Sequence, residues 1–104
     1  MKLWVDDVRE APKGYFWVQS VAEAKNTICY AEWYHKYKDG NKIELIDIDH
    51  DAGDYAWLGG DYIELLNWLE ETGRNYPIRI HSMNPVGREN MRRIIQRNGW
   101  TEVN

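Results

Sequence analysis

Ile43–Gly53, IELIDIDHDAG, begins as an apolar run and ends in a cluster of ionisable residues, Asp47, Asp49, His50 and Asp51. Aliphatic and β-branched residues bounded by Gly40 and Gly53 read as a buried strand of a parallel sheet. In an open α/β sheet, ligands bind outside the carboxyl ends of the strands, which is where this cluster falls. Two carboxylates ~4 Å apart repel by roughly 4 kcal/mol at an effective dielectric of 20. Three of them gathered at one strand end point to a bound cation or a shared proton.

Towards the N-terminus, Lys2–Asp6 reads as a short buried strand, closed by Asp6-Asp7 and followed by Arg9 and the loop EAPKG. Only about eight residues lead to the next apolar run, Tyr15–Val18, too few for a helical crossover of about a dozen. The first helix is therefore expected to be degenerate. Ser20 and Glu23 form a capping box, and Val21, Ala24, Ile28 and Ala31 give the following helix an inward stripe up to the Asp39-Gly40-Asn41 turn.

Towards the C-terminus, the loop DAGDYAWLGG leads into a helix capped by Asp61 with Glu64. Tyr62, Leu65, Leu66 and Leu69 face inward, and Gly73 ends it. Ile78–Ser82 reads as a fourth strand. Asn84-Pro85 are N-cap and first residue of a third helix with Met91, Ile94 and Ile95 inside and Gly99 as its stop. Trp100–Val103 could add an edge strand. The expected architecture is a single α/β domain over residues 1–104, a three-layer sandwich with a mostly parallel sheet of order 2-1-3-4(-5).

Net charge is −4 in 104 residues, which argues against a broad grip on duplex nucleic acid but leaves room for a small phosphate ligand. Cys29 stands alone, no run reaches transmembrane length, and the N-terminus turns acidic too early for a signal peptide. A cytoplasmic protein without membrane contact is expected. The six Trp and seven Tyr are read as core and sheet packing.

Asp6-Asp7, Asp49-His50-Asp51 and His81-Ser82 all close strands, with strands one and three adjacent at the topological switch point. Carboxylate oxygens in that number suit Mg²⁺ or Mn²⁺, with Asp6, Asp7, Asp49 and Asp51 as candidate ligands. The N-terminus of the third helix at Asn84 favours an anion, and Arg88 in its first turn is a cation placed against the dipole unless a phosphate sits there. Ser82 and Arg9 complete the candidate phosphate contacts. Simpler readings stand beside these: Asp6, Asp7 and Asp51 could start turns, and Asp47 could pair with Arg79 or face solvent. His81 could be a satisfied core histidine. His50 suits a general acid if it projects with its aspartates and is packing if it does not.

Asp6-Asp7, Asp49 and Ser82 stand where the receiver domains of response regulators carry their acid pair, phosphoryl-accepting aspartate and hydroxyl residue. No lysine closes a fifth strand. The segments VDDVREAP, GGDYIELLNWLEE, DIDHDAG and IHSMNPVGREN more closely resemble the short, flavodoxin-like family of cyclic-phosphate-processing receiver domains (cREC) of bacteria and phages. That resemblance spans nearly the whole chain. It implies an RNA-repair setting and action on 2′,3′-cyclic phosphate ends, with His81, His50 and Asp49 as catalytic candidates. The alternative is a non-catalytic receiver-like module that sequesters a cyclic nucleotide or docks on a protein.

Overall fold

In the computed structural model, which describes residues 1–104, four short apolar runs pair into one sheet. They are β1 (Lys2–Val5), β2 (Tyr15–Val18), β3 (Leu45–Ile48) and β4 (Ile78–Ile80), all parallel and in the order β2-β1-β3-β4. Three helices follow the last three strands: α1 (Val21–Lys38), α2 (Ile63–Glu71) and α3 (Pro85–Asn98). This is the short receiver-like α/β fold expected, with strand order 2-1-3-4.

Register decides which residues share a face. Leu3 pairs with Ile46, Val5 with Ile48, and these with Ile78 and Ile80. Successive side chains alternate between faces, so across β1, β3 and β4 one face is wholly aliphatic. It meets Ala24 and Ile28 of α1, Leu65 and Leu69 of α2, and Met91 and Ile95 of α3 in one buried core. Right-handed crossovers put α1 and α2 on that same side, and α3 packs on α2.

The first helix is missing: a loop joins Val5 to Tyr15. Of the three layers expected, the sheet and one helical layer are built, and side chains close the face that a first helix would cover. Trp4 stands edge-on to Tyr15 at 5.7 Å and lies parallel to the His81 ring at 3.9 Å. Its indole N–H donates to the Arg9 carbonyl, and that of Trp17 donates to the Asp6 carbonyl, both at 2.8 Å. Two indoles thus pin the short loop where a helix would have packed.

Local expectations hold at most ends. Ser20 accepts from the Glu23 N–H, Asn84 accepts from the Gly87 N–H with Pro85 behind it, and Gly99 adopts the left-handed conformation. Three expectations change. Asp61 does not cap α2: its carboxylate accepts the Ala52 N–H at 3.0 Å, so it ties down the loop after β3, and the helix begins at Ile63 without a side-chain cap. Trp100–Val103 contributes a single bridge, Ile78 to Glu102, because only that much of the tail runs beside β4. The aromatics are not all inside: Tyr30, Trp33, Tyr34 and Tyr37 form a tilted ring-to-ring seam on the solvent side of α1.

Removing either cap should cost about 1 kcal/mol of stability. Chemical denaturation of Ser20→Ala and Asn84→Ala should give equal losses, since each deletes one acceptor for one N–H. A loss in Asn84→Ala several times that of Ser20→Ala would mean the Asn84 side chain supports more than its helix.

Candidate functional site

The site is built from the carboxyl ends of β1, β3 and β4. At the end of β1, the fully buried Asp6 accepts the N–H groups of Val8 at 3.0 Å and Arg9 at 2.8 Å on one oxygen. Its other oxygen faces His81 Nε2 at 2.9 Å. Burial pushes the Asp6 carboxyl up, but the Arg9 N–H, the His81 ring and the Val8 N–H together outweigh it and hold it below its ordinary value.

β3 and β4 place a second carboxylate on the far side of the same imidazole. Asp47 lies opposite Arg79 in the register, so His81, two residues on, projects from the same face. Asp47 is fully buried and takes an Arg79 N–H at 3.0 Å while facing His81 Nδ1 at 2.7 Å. Both ring nitrogens therefore point at carboxylate oxygens, and both contacts are hydrogen bonds only when both nitrogens carry hydrogen. Asp47 is the site residue that sequence reasoning missed. Its pairing with Arg79 is one of the two readings open from the sequence, and its hold on His81 needs the register.

Asp49 follows β3, and its carboxylate accepts the N–H of His50 at 2.7 Å. Ligand atoms of Asp6, Asp49 and His81 lie within 4.8 Å of one another. Asp7 is beside them, its carboxylate resting where a Cβ on Gly53 would be, and Gly53 also takes the positive φ of 55° that the turn requires. The Asp7 carboxyl is pushed up by burial and then by the charges of Asp6 and Asp49. Asp6, Asp49 and His81, with Asp7 beside them, supply the donor atoms for a metal ion.

The other candidates fall around this centre. His50 turns to the helical side, its ring against Gly87 in the first turn of α3 and its Nδ1 on Asp51 at 2.8 Å. Asp51 is not among the three grouped ligands; it clusters with His50 and Asp61. Ser82 is buried, and its hydroxyl accepts the Asn84 N–H at 3.0 Å, while Arg88 donates to the Ser82 carbonyl at 3.1 Å. Arg9 is exposed on the first loop. Three large apolar side chains stand out from the loops around the crevice: Val8 is 78%, Trp57 80% and Met83 80% exposed.

The raised Asp7 carboxyl has a measurable consequence. The folded protein holds that proton more tightly than the unfolded chain, so the contribution of Asp7 to stability is full below its ordinary value of 3.8. It is lost as pH rises through the raised folded value. Without divalent cations, Asp7→Asn should therefore melt higher than the parent at pH 7, and the gap should close as pH falls towards 4. An Asp7→Asn protein that melts no higher at pH 7 would show that the three charges do not oppose one another.

These strand ends fall within the match to a family model. The model for the cyclic-phosphate processing receiver domain aligns with residues 1–97, from the first residue of the chain to one short of the end of α3. Neither the curated proteins nor the solved structures contain a match to the chain. No helix is long and apolar enough to cross a membrane. The matched span includes every strand of the sheet and every acid and histidine of the crevice, and by it the chain belongs to the family of cyclic-phosphate processing receiver domains.

Proposed function

We propose that the domain is a metal-dependent phosphoesterase that opens a 2′,3′-cyclic phosphate at an RNA end. The observation that carries this reading is His81 held between Asp47 and Asp6 beside Asp49. An imidazole whose Nδ1 is fixed by the buried Asp47, and whose Nε2 lies on Asp6 next to Asp49, is the arrangement of an oriented acid–base group. The family name supports cyclic phosphate as the group acted on.

Asp6, Asp7 and Asp49 would hold Mg²⁺ or Mn²⁺. The ion supplies charge neutralisation to the phosphate oxygens and to the bond being broken. The chain's own residues do the rest. Water adds to phosphorus as one ring P–O bond breaks, the departing ribose oxygen takes a proton from His81 Nε2, and the proton lost by the entering water restores that nitrogen. The product is a phosphomonoester with one ribose hydroxyl restored. His50, with Nδ1 tied to Asp51, is the second candidate for either proton. Asn84, Arg88, Arg9 and the N–H groups at the start of α3 would hold the phosphate oxygens, with Ser82 fixing the turn that presents them.

A second reading has its own observation. Both His81 nitrogens already have carboxylate partners, and the Ser82 hydroxyl is spent on a backbone N–H. A crevice so fully paired also suits a module that binds a cyclic nucleotide without turning it over.

Ring opening of an oligoribonucleotide ending in a 2′,3′-cyclic phosphate, followed by mass spectrometry with Mg²⁺ present, separates the two. Multiple turnovers are expected, with His81→Gln lowering kcat by roughly 10²–10⁴. Stoichiometric binding without ring opening by the parent protein would leave the binding module as the account. The cation is tested separately by thermal melting. Mg²⁺ or Mn²⁺ at 100 times its Kd should add about 2.7 kcal/mol, and Asp49→Asn should abolish that response. A parent melting curve indifferent to both ions removes the metal.

A further inference from the structure

The acid crevice has a neighbour of opposite character. Beyond His81 and Ser82, along the outer edge of β4, lies an open cavity of about 400 Å³ lined by Arg79, Arg88, Arg92, Met83 and Glu102. Its size is that of small-ligand sites. Three guanidinium groups and one acidic side chain line it, in a protein whose net charge is −4, and Arg79 also donates to the buried Asp47 at 3.0 Å. Arg88 and Arg92 stand one helical turn apart on α3, on one side of the helix. Arg79 and His81 project from the sheet face on the other side of the cavity, and Met83 stands at its rim, 80% exposed. Arg92 is held by Glu102 through contacts of 2.8 to 3.0 Å, and Arg88 uses one N–H on the Ser82 carbonyl.

The proposed phosphate site at Asn84 and the acid cluster do not use Arg92, whereas Arg79 is held by Asp47.

We infer that this cavity is a subsite for the nucleotide preceding the cyclised end, so that the substrate is a single RNA strand rather than a cyclic mononucleotide. The inference rests on the phosphoesterase reading and deepens it. His81 belongs to both the acid group and the cavity lining, so a ligand phosphate beside it lies next to the cavity. The next phosphodiester then falls among guanidinium groups, whose planar N–H pairs match phosphate oxygens. Met83 supplies a polarisable thioether against the base. A 2′,3′-cyclic phosphate requires a 2′-hydroxyl, which makes the strand RNA. Glu102 acts as a stand-in anion, occupying Arg92 until a phosphate competes for it.

The test uses the ion pair itself. Arg92→Gln and Glu102→Gln both break it, so any shared loss of stability is common to the two, while their effects on an anion are opposite. The probes are a fluorescein-labelled ribotetranucleotide ending in a 2′,3′-cyclic phosphate and cytidine 2′,3′-cyclic phosphate. Affinity is read with Mg²⁺ present as Kd, or as KM where the ring is opened. The parent should prefer the tetranucleotide by tenfold or more, with a preference that falls as salt rises. Arg92→Gln should remove most of that preference and Glu102→Gln should increase it, with the mononucleotide unchanged in both. Equal affinity of the parent for the two probes, or variants that shift in the same direction, would overturn the subsite and leave the phosphoesterase reading standing. Failure of the parent to bind either probe would sink that reading and the subsite with it.

Discussion

A fully buried carboxylate, Asp47, is the constraint on which the rest of the sheet's open face depends. A charge taken out of water costs several kcal/mol unless its partners replace the solvent. Here Arg79 and His81 do so from the neighbouring strand, at 3.0 and 2.7 Å. His81 passes the compensation on to Asp6, which is also buried and leans on the first loop's N–H groups. Removing one member of such a chain strands the others, typically at about 3–5 kcal/mol. The sequence of contacts runs from a half-exposed arginine across two strands to the loop after β1, so strand register, loop shape and crevice geometry are one problem.

That problem arises from a deletion in the architecture. With no helix between β1 and β2, the sheet face carrying Trp4, Asp47 and Arg79 has no helical layer to cover it. Indoles and an imidazole substitute, and they bring polar edges that a layer of leucines would not. The functional-looking histidine is therefore also a covering residue. Its stacking on Trp4 and its two carboxylate contacts answer a packing need and an electrostatic need together.

The two acids at the end of β1 show how finely adjacent positions are separated. Asp6 is held down by N–H groups and an imidazole, whereas Asp7, one residue on, is pushed up by burial and its acidic neighbours. Much of this frame was legible in the residues: the strands through their apolar runs, α1 and α3 through Ser20 and Asn84, the acid cluster through its position at strand ends. What was not legible depended on which face a side chain takes and on partners far along the chain. Asp47 meets His81 only through the β3–β4 register. Asp61 reads as a helix cap because a backward reach to Ala52 leaves no local trace. The α1 aromatics read as core because their spacing matches a buried stripe as well as an exposed one.

The parallel stack of Trp4 on His81, ring centroids 3.9 Å apart and planes 3° from coplanar, gives the crevice an optical voice. An indole feels the field of whatever lies on its face, and a ring that gains or gives up a proton changes that field. Trp4 also donates to the backbone of the first loop, so movement of Arg9 or its neighbours alters the same chromophore. Whatever alters that imidazole or the first loop is thus felt by one of the protein's own six indoles.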